Sequence, residues 1–227
     1  MNRTQINTEQ PDLVIRRATP ADAPIVAELM LMTGEELFRY TFYRDRARTL
    51  QVLRALVAEP ASSFTYRCAY LAELSGEVAG LIHFIDRLEA QRNDRAMGSL
   101  MLKQLGVWGT LQRLPRFATL AGLLGRVPED GVYINNLATI PAHRRKGIAT
   151  RLLAFCAQET RRRGLSVMEL DVIMGNAPAI AAYRRAGFVV VKEIHSRALR
   201  RAYGFPGAYR MRKELGPTPM GRSDRAL

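Results

Sequence analysis

The stretch Ile140-Pro-Ala-His-Arg-Arg-Lys-Gly-Ile-Ala-Thr150 joins two segments whose hydrophobic periods differ. Before it, Val132-Tyr-Ile-Asn-Asn-Leu-Ala-Thr139 is rich in β-branched and aromatic residues, the composition of a strand. After it, Ala149, Leu152, Leu153, Cys156 and Ala157 recur at helical spacing. A strand therefore runs into a helix through a basic turn that contains Gly147. The first turn of a helix carries backbone N–H groups without intrahelical partners and the positive end of the macrodipole, so such a turn suits phosphate. Arg144, Arg145 and Lys146 add positive charge, and Gly147 has no Cβ to hold a ligand off the backbone. The first expectation is a pyrophosphate cradle.

Toward the C-terminus, Gly164 ends the helix and Ser166-Val-Met-Glu-Leu-Asp-Val-Ile173 reads as the next strand. Strand, helix and strand from 132 to 173 form a βαβ unit, so the two strands are expected to be parallel neighbours. Asn176 is placed to N-cap a helix from Ala177 to Ala186, with Pro178 in its first turn and Gly187 stopping it. A strand over Phe188–Ile194 and a last one over Ala208–Lys213, hairpinned through Tyr203–Gly207, complete this half. Residues 216–227 have the composition of a flexible tail.

Toward the N-terminus, residues 1–11 read as a loose polar tail and Leu13–Ala18 as a first strand. Thr19 and Pro20 open a helix over Asp22–Met30, and Glu35–Glu59 reads as one further helical region stopped by Pro60. Met30, Met32, Phe38, Tyr40, Phe42 and Tyr43 cluster as core or as a pocket mouth. Phe64–Leu74 alternates Phe64, Tyr66, Cys68 and Tyr70 on one face, and with Val78–Ile85 it forms an antiparallel hairpin. His83 points away from Ile82 and Phe84, as a structural histidine or as a base. Residues 86–128 read as an insertion of one or two helices, with the segment Leu111–Leu124 broken at Pro115. A lid over the substrate side and a homodimer contact are its two readings.

The 227 residues, 48% apolar and 24% charged, are those of an ordinary globular chain with one sizeable core. No run approaches the roughly 18 apolar residues of a membrane span, and the first ten residues have no apolar core for a signal peptide, so a cytoplasmic, membrane-free protein is expected. The two cysteines, Cys68 and Cys156, have no spaced partners for a metal cluster and read as buried thiols. The net charge of +13 is scattered rather than gathered in one stripe with interleaved aromatics, which argues against nucleic acid as the main partner. Arg161-Arg-Arg163 reads as a solvated helix end complementing the dipole.

Two motifs carry a resemblance. Arg144-Arg-Lys-Gly147-Ile-Ala149 fits the pattern Arg or Gln, two residues, Gly, one residue, Gly or Ala, and Leu170-Asp-Val172 is followed by Asn176-Ala-Pro-Ala-Ile-Ala-Ala-Tyr183-Arg-Arg-Ala-Gly187-Phe188. Together they resemble the GCN5-related N-acetyltransferase (GNAT) family, over about residues 12–213 and most closely over 132–194. The resemblance implies an α/β fold of mixed class (α+β): a mostly antiparallel central sheet of about six to seven strands, helices on both faces, and a splayed parallel pair at the cofactor site. It implies a single domain over 12–215 carrying the insertion. It implies acetyl-CoA as acyl donor, with pyrophosphate on the backbone amides of Arg145, Lys146, Gly147, Ile148, Ala149 and Thr150. The strand edge through Asn136, Leu137, Ala138 and Thr139 would bind the pantetheine arm and polarise the thioester carbonyl.

The chemistry of amine acetylation agrees. An amine near pKa ~10.4 must lose a proton, a developing oxyanion wants fixed N–H donors, and a departing thiolate of reference pKa ~8.5 wants a proton. Tyr183, seven residues after Asn176 and on the same helix face, is the candidate acid. A tyrosine packed between helix and sheet is the alternative reading. Asn176 can both cap its helix and bond the pantetheine arm. Where the family often has a carboxylate on the strand before the phosphate loop, this chain has Asn135 and Asn136, expected on opposite strand faces, where they would orient water or substrate. A water relay ending at Glu129, Asp130, His83 or Asp171 is then expected. The leading function is acetyl transfer from acetyl-CoA to a small-molecule or protein amine; a non-catalytic acyl-CoA-binding or regulatory module is the alternative. The basic excess disfavours a polycationic acceptor.

Overall fold

The computed structural model describes residues 13–123 and 127–216. The tail expected at 1–11, and all but Gly216 of the one expected at 216–227, lie outside them. Seven strands, β1 Leu13–Arg17, β2 Ala69–Leu74, β3 Glu77–Asp86, β4 Gly131–Thr139, β5 Val167–Ile173, β6 Val189–Ile194 and β7 Ala208–Glu214, form one sheet in the order β1-β2-β3-β4-β5-β7-β6. Among the described residues only β4 and β5 run parallel; all other neighbours are antiparallel.

Helices cover both faces because strand residues alternate between two apolar layers. On one face α5 (Ile148–Arg162) and α6 (Ala177–Arg185) bury Ile148, Leu152, Leu153, Cys156 and Ile180 against Ile82, Phe84, Val132, Ile134, Met168 and Leu170. On the other, α1 (Ala23–Thr33) and α3 (Arg46–Ala58) pack Val26, Met30, Leu53 and Leu56 on Ala69, Leu71, Leu81 and Ala138. Ending α5, Gly164 takes a left-handed φ of 74° and its N–H bonds the Arg161 carbonyl (2.8 Å), the helix stop that a glycine permits. Both cysteines are free and buried, as expected, and burial pushes the Cys68 thiol up to about 12. Among the described residues no helix is long and apolar enough to cross a membrane.

Several local expectations are corrected. The region 35–59 is two helices, α2 (Glu35–Thr41) and α3, because Asp45 caps the second by accepting from the Arg48 N–H at 2.8 Å. The alternation at Phe64–Cys68 is not a strand: the Thr65 hydroxyl accepts from the Arg67 N–H (3.3 Å) and folds 66–68 into a 3-10 turn before β2 begins. The insertion is helical, as expected, over α4 (Arg87–Leu123), two helical halves that meet at a kink, but the kink is at Gly106 (φ 69°, ψ 171°) and not at Pro115. Between β6 and β7 stands a further helix, α7 (Arg197–Tyr203), capped by Ser196, rather than a simple hairpin. The α5 end is solvated only in part: Arg162 is exposed, while Arg161 donates to the Leu215 carbonyl (2.7 Å). Arg163 is largely buried, donates to Asp86 (2.8 Å) and Glu89 (2.9 Å), and lies over the Phe84 ring, which ties α5 to the start of α4.

Candidate functional site

The parallel pairing of β4 with β5 runs from Gly131↔Val167 to Ile134↔Leu170 and stops there. Beyond it β4 stays on β3 as far as Thr139, and β5 stays on β7 as far as Ile173. The facing edges over Asn135–Thr139 and Asp171–Ile173 are therefore unpaired with each other. The divergence begins at a β-bulge: β3 pairs His83 with Asn136 and Phe84 with Ile134, leaving Asn135 as the extra residue. A bulge bends its strand and increases its twist.

The bulge also resets the face pattern. Val132 and Ile134 pack in the α5 layer, then Leu137 does; Asn136 and Ala138 belong to the α1 side. Asn135 and Asn136 consequently do not face opposite ways, because the inserted residue breaks the period of two. The Asn136 amide donates to Thr33 Oγ1 (2.7 Å) at the end of α1, and the Asn135 amide donates to His83 Nδ1 (3.1 Å) on the same side of the sheet. With Nδ1 accepting, the ring proton sits on Nε2, which is buried without a hydrogen-bond partner. Burial holds His83 down to about 4.

At the end of β4, a short 3-10 turn Pro141–His143 leads into the basic turn, where Arg145 (φ 63°) and Gly147 (φ 77°) are both left-handed. Gly147 occupies the N-cap of α5, and no side chain caps that end. The first intrahelical bond runs from the Arg151 N–H to the Gly147 carbonyl (3.0 Å), so the N–H groups of Ile148, Ala149 and Thr150 precede the ladder. A Cβ on Gly147 would meet no protein atom within 4 Å, so the space over it is open. Arg144, Arg145 and Lys146 are exposed and form no ion pair among the described residues. Open amides, dipole and cations converge, which is the chemistry a pyrophosphate needs.

The position of this helix end depends on Gly80 of β3. A Cβ there would meet the Ala138 carbonyl oxygen at 2.8 Å, Ile148 Cγ2 at 3.0 Å and Leu152 Cδ1 at 3.3 Å. Sequence reasoning missed Gly80; a glycine inside an otherwise apolar strand was its signal.

Asn176 caps α6, its side-chain oxygen accepting from the Ala179 N–H at 3.2 Å. Tyr183 is half-buried on the same helix, edge-on to Phe188 at 5.9 Å and packed on the α5–α6 core. Burial raises its phenol to about 12, so it is protonated at neutral pH.

The structure separates the titratable relay candidates. Glu129 and Asp130 lie before β4, at the end away from the divergence, and Glu129 is paired with Arg87. Both oxygens of Asp171 are taken by the Arg210 guanidinium (2.9 Å each). Of the four, only His83 contacts the asparagine pair. Burial disfavours its charged form, and its Nδ1 accepts from the Asn135 amide.

The second half of α4 lies against α2. Arg113 donates to the Phe42 carbonyl and Arg116 to that of Tyr40 (3.2 Å), placing cations at the C-terminus of α2. Phe117 packs edge-on to Phe42 at 6.4 Å. Val107, Trp108, Leu111 and Leu114 remain more than half exposed.

A family model described as the acetyltransferase (GNAT) family matches residues 32–188. Among curated proteins, a streptothricin acetyltransferase of Streptomyces lavendulae is 46% identical over 55 residues, 24% of this chain and 29% of that protein. An acetyltransferase of Agrobacterium fabrum is 34% identical over 70 residues, 31% of this chain and 50% of that one. The matches thus span half or less of these relatives. Among solved structures, an N-acetyltransferase from Staphylococcus aureus Mu50 superposes with a TM-score of 0.68 at 21% identity, covering 88% of this chain and 99% of that one. A second acetyltransferase structure superposes at 0.62 with 20% identity, covering 89% of this chain and 99% of that one.

Proposed function

Because the chain belongs to the acetyltransferase (GNAT) family, we propose that it transfers the acetyl group of acetyl-CoA to an amine. The observation that carries this reading is the divergence of β4 from β5 at Asn135, directly before the open N-terminus of α5. Bound acetyl-CoA would supply an activated thioester carbon to the acceptor nitrogen. The amides from Arg145 to Thr150, with Arg144 and Lys146 around them, would hold its pyrophosphate. The unpaired edge through Leu137, Ala138 and Thr139 offers backbone groups to the pantetheine arm and to the thioester oxygen. Asn176, whose oxygen is occupied by its own helix, keeps its amide N–H groups for the same arm.

Asn135 and Asn136, fixed by His83 and Thr33, would orient the acceptor and the water that carries its proton to solvent. Tyr183 would face the departing sulfur. With the phenol at about 12 and a thiol near ~8.5, complete transfer from Tyr183 is uphill, so it acts by hydrogen bonding as charge develops on sulfur.

Thiol release from acetyl-CoA, followed over a panel of amines that includes streptothricin, tests the reading. Tyr183→Phe should lower kcat by about 10- to 100-fold with acetyl-CoA affinity unchanged, the loss of one donor. An unchanged rate removes Tyr183 from the mechanism. Tight acetyl-CoA binding with no thiol release on any amine would favour the non-catalytic module.

A further inference from the structure

Outside the divergent strands, α2, the second half of α4 and α7 enclose an open pocket of about 230 Å³ lined by Glu36, Arg39, Tyr40, Arg44, Arg116 and Tyr203. Two of its walls are attached to the two sides of the strand divergence. The α2 helix follows Gly34 directly after Thr33, which holds Asn136, and α7 leads into β7, whose Ala208 pairs with Ile173 at the open end of β5. The third wall is the insertion.

The chemistry of the lining is one-sided, with three guanidinium groups against the single carboxylate of Glu36. Arg39 is 3.7 Å from Glu35 and donates to the Arg44 carbonyl (2.7 Å). Arg44 and Arg116 have no ion pair among the described residues. Arg116 is half-buried, held over the Tyr40 ring at 5.6 Å, and Tyr40 packs on Tyr203 at 5.8 Å. The Tyr203 hydroxyl is buried with no hydrogen-bond partner, a donor left without an acceptor at the pocket wall. Two guanidinium groups without an ion pair, one of them half-buried, stand beside an unused hydroxyl and match an oxyanion in charge and in donor geometry.

We propose that this pocket receives the carboxylate or phosphate of the acceptor, so that the substrate class is an amine bearing an oxyanion. The assignment of the ligand as acceptor rests on the acetyl-transfer reading; the pocket's affinity for an oxyanion does not.

The test separates the two. Inorganic phosphate is titrated by calorimetry into protein saturated with desulfo-coenzyme A, which occupies the cradle at α5. Binding should be measurable, weakened about tenfold in Arg44→Gln, whose side chain makes no contact on which the fold depends, and largely kept in Arg44→Lys. No phosphate binding, or equal binding in wild type, Arg44→Gln and Arg116→Gln, overturns the site. Turnover is then compared for matched pairs, an amino acid against its decarboxylated amine and a phosphorylated amino alcohol against the parent. The anionic member should have at least about a tenfold higher kcat/KM, and Arg44→Gln should shrink that ratio. Equal kcat/KM within each pair overturns the acceptor assignment. Phosphate binding that depends on Arg44 in a protein that acetylates no amine sinks the transfer reading and leaves the oxyanion site standing.

Discussion

His83 makes stability depend on pH in a direction and amount that can be worked out. It is fully buried, and burial lowers its pKa from 6.5 to about 4. The folded protein therefore binds fewer protons at this position than the unfolded chain does between those values. The stabilising difference is complete above pH 6.5 and is lost as the pH falls toward 4. At about 1.36 kcal/mol per pK unit, a fall from 6.5 to about 4 costs the folded state roughly 2 kcal/mol by pH 5 and roughly 3 kcal/mol by pH 4. Against a total stability of about 5–15 kcal/mol this is a large fraction. Urea denaturation of wild type and His83→Gln at pH 7.5, 6 and 5 isolates the effect, since His143, His195 and every carboxylate remain in both proteins. His83→Gln starts less stable, having lost a fitted ring, but its curve should be flatter by about 2 kcal/mol over this range. Parallel losses in the two proteins would show that His83 is not held neutral by burial and would remove the reasoning that makes it a positioning group.

Two substitutions examine the cofactor side. Gly80→Ala forces a methyl against the Ala138 carbonyl and Ile148, so it should destabilise by about 1–3 kcal/mol and weaken acetyl-CoA binding through a displaced α5; unchanged denaturation and affinity would show that the close approach is not a constraint. Gly147→Val meets no protein atom but places a β-branched residue at φ 77°, a strain of about 1–3 kcal/mol, while acetyl-CoA affinity by calorimetry should fall by at least about tenfold. Normal affinity in that variant would dismiss the cradle.

Legibility differed sharply along the chain, for physical reasons. The unit from β4 through α5 to β5 was readable because its signals are local: a change of period, Gly147 at a left-handed position, and Gly164 at the helix stop. Asn176 was readable for the same reason, its cap reaching only three residues. Misreadings arose where a side chain competed with the backbone. Thr65 turns an alternating segment into a helical turn, and Asp45, a capping residue by type, divides one helical region into two. The bulge at Asn135 has no local marker, since either asparagine of the pair fits a strand, and its position is set by pairing with β3. The pocket was beyond reach altogether. Arg39, Arg116 and Tyr203 are far apart in the chain, and only the docking of α4 and α7 on α2 brings them together.

The bulge has a further consequence for how β4 can vary. On its first half the even-numbered positions Val132 and Ile134 belong to the α5 layer; on its second half the odd-numbered Leu137 does. One strand thus carries two phases, joined at Asn135. Taking out the extra residue Asn135 would leave Ile134, Asn136, Leu137 and Ala138 in plain alternation, each in the layer it already occupies. What such a deletion would take away is the bend and added twist that the bulge gives β4 at the point where it leaves β5.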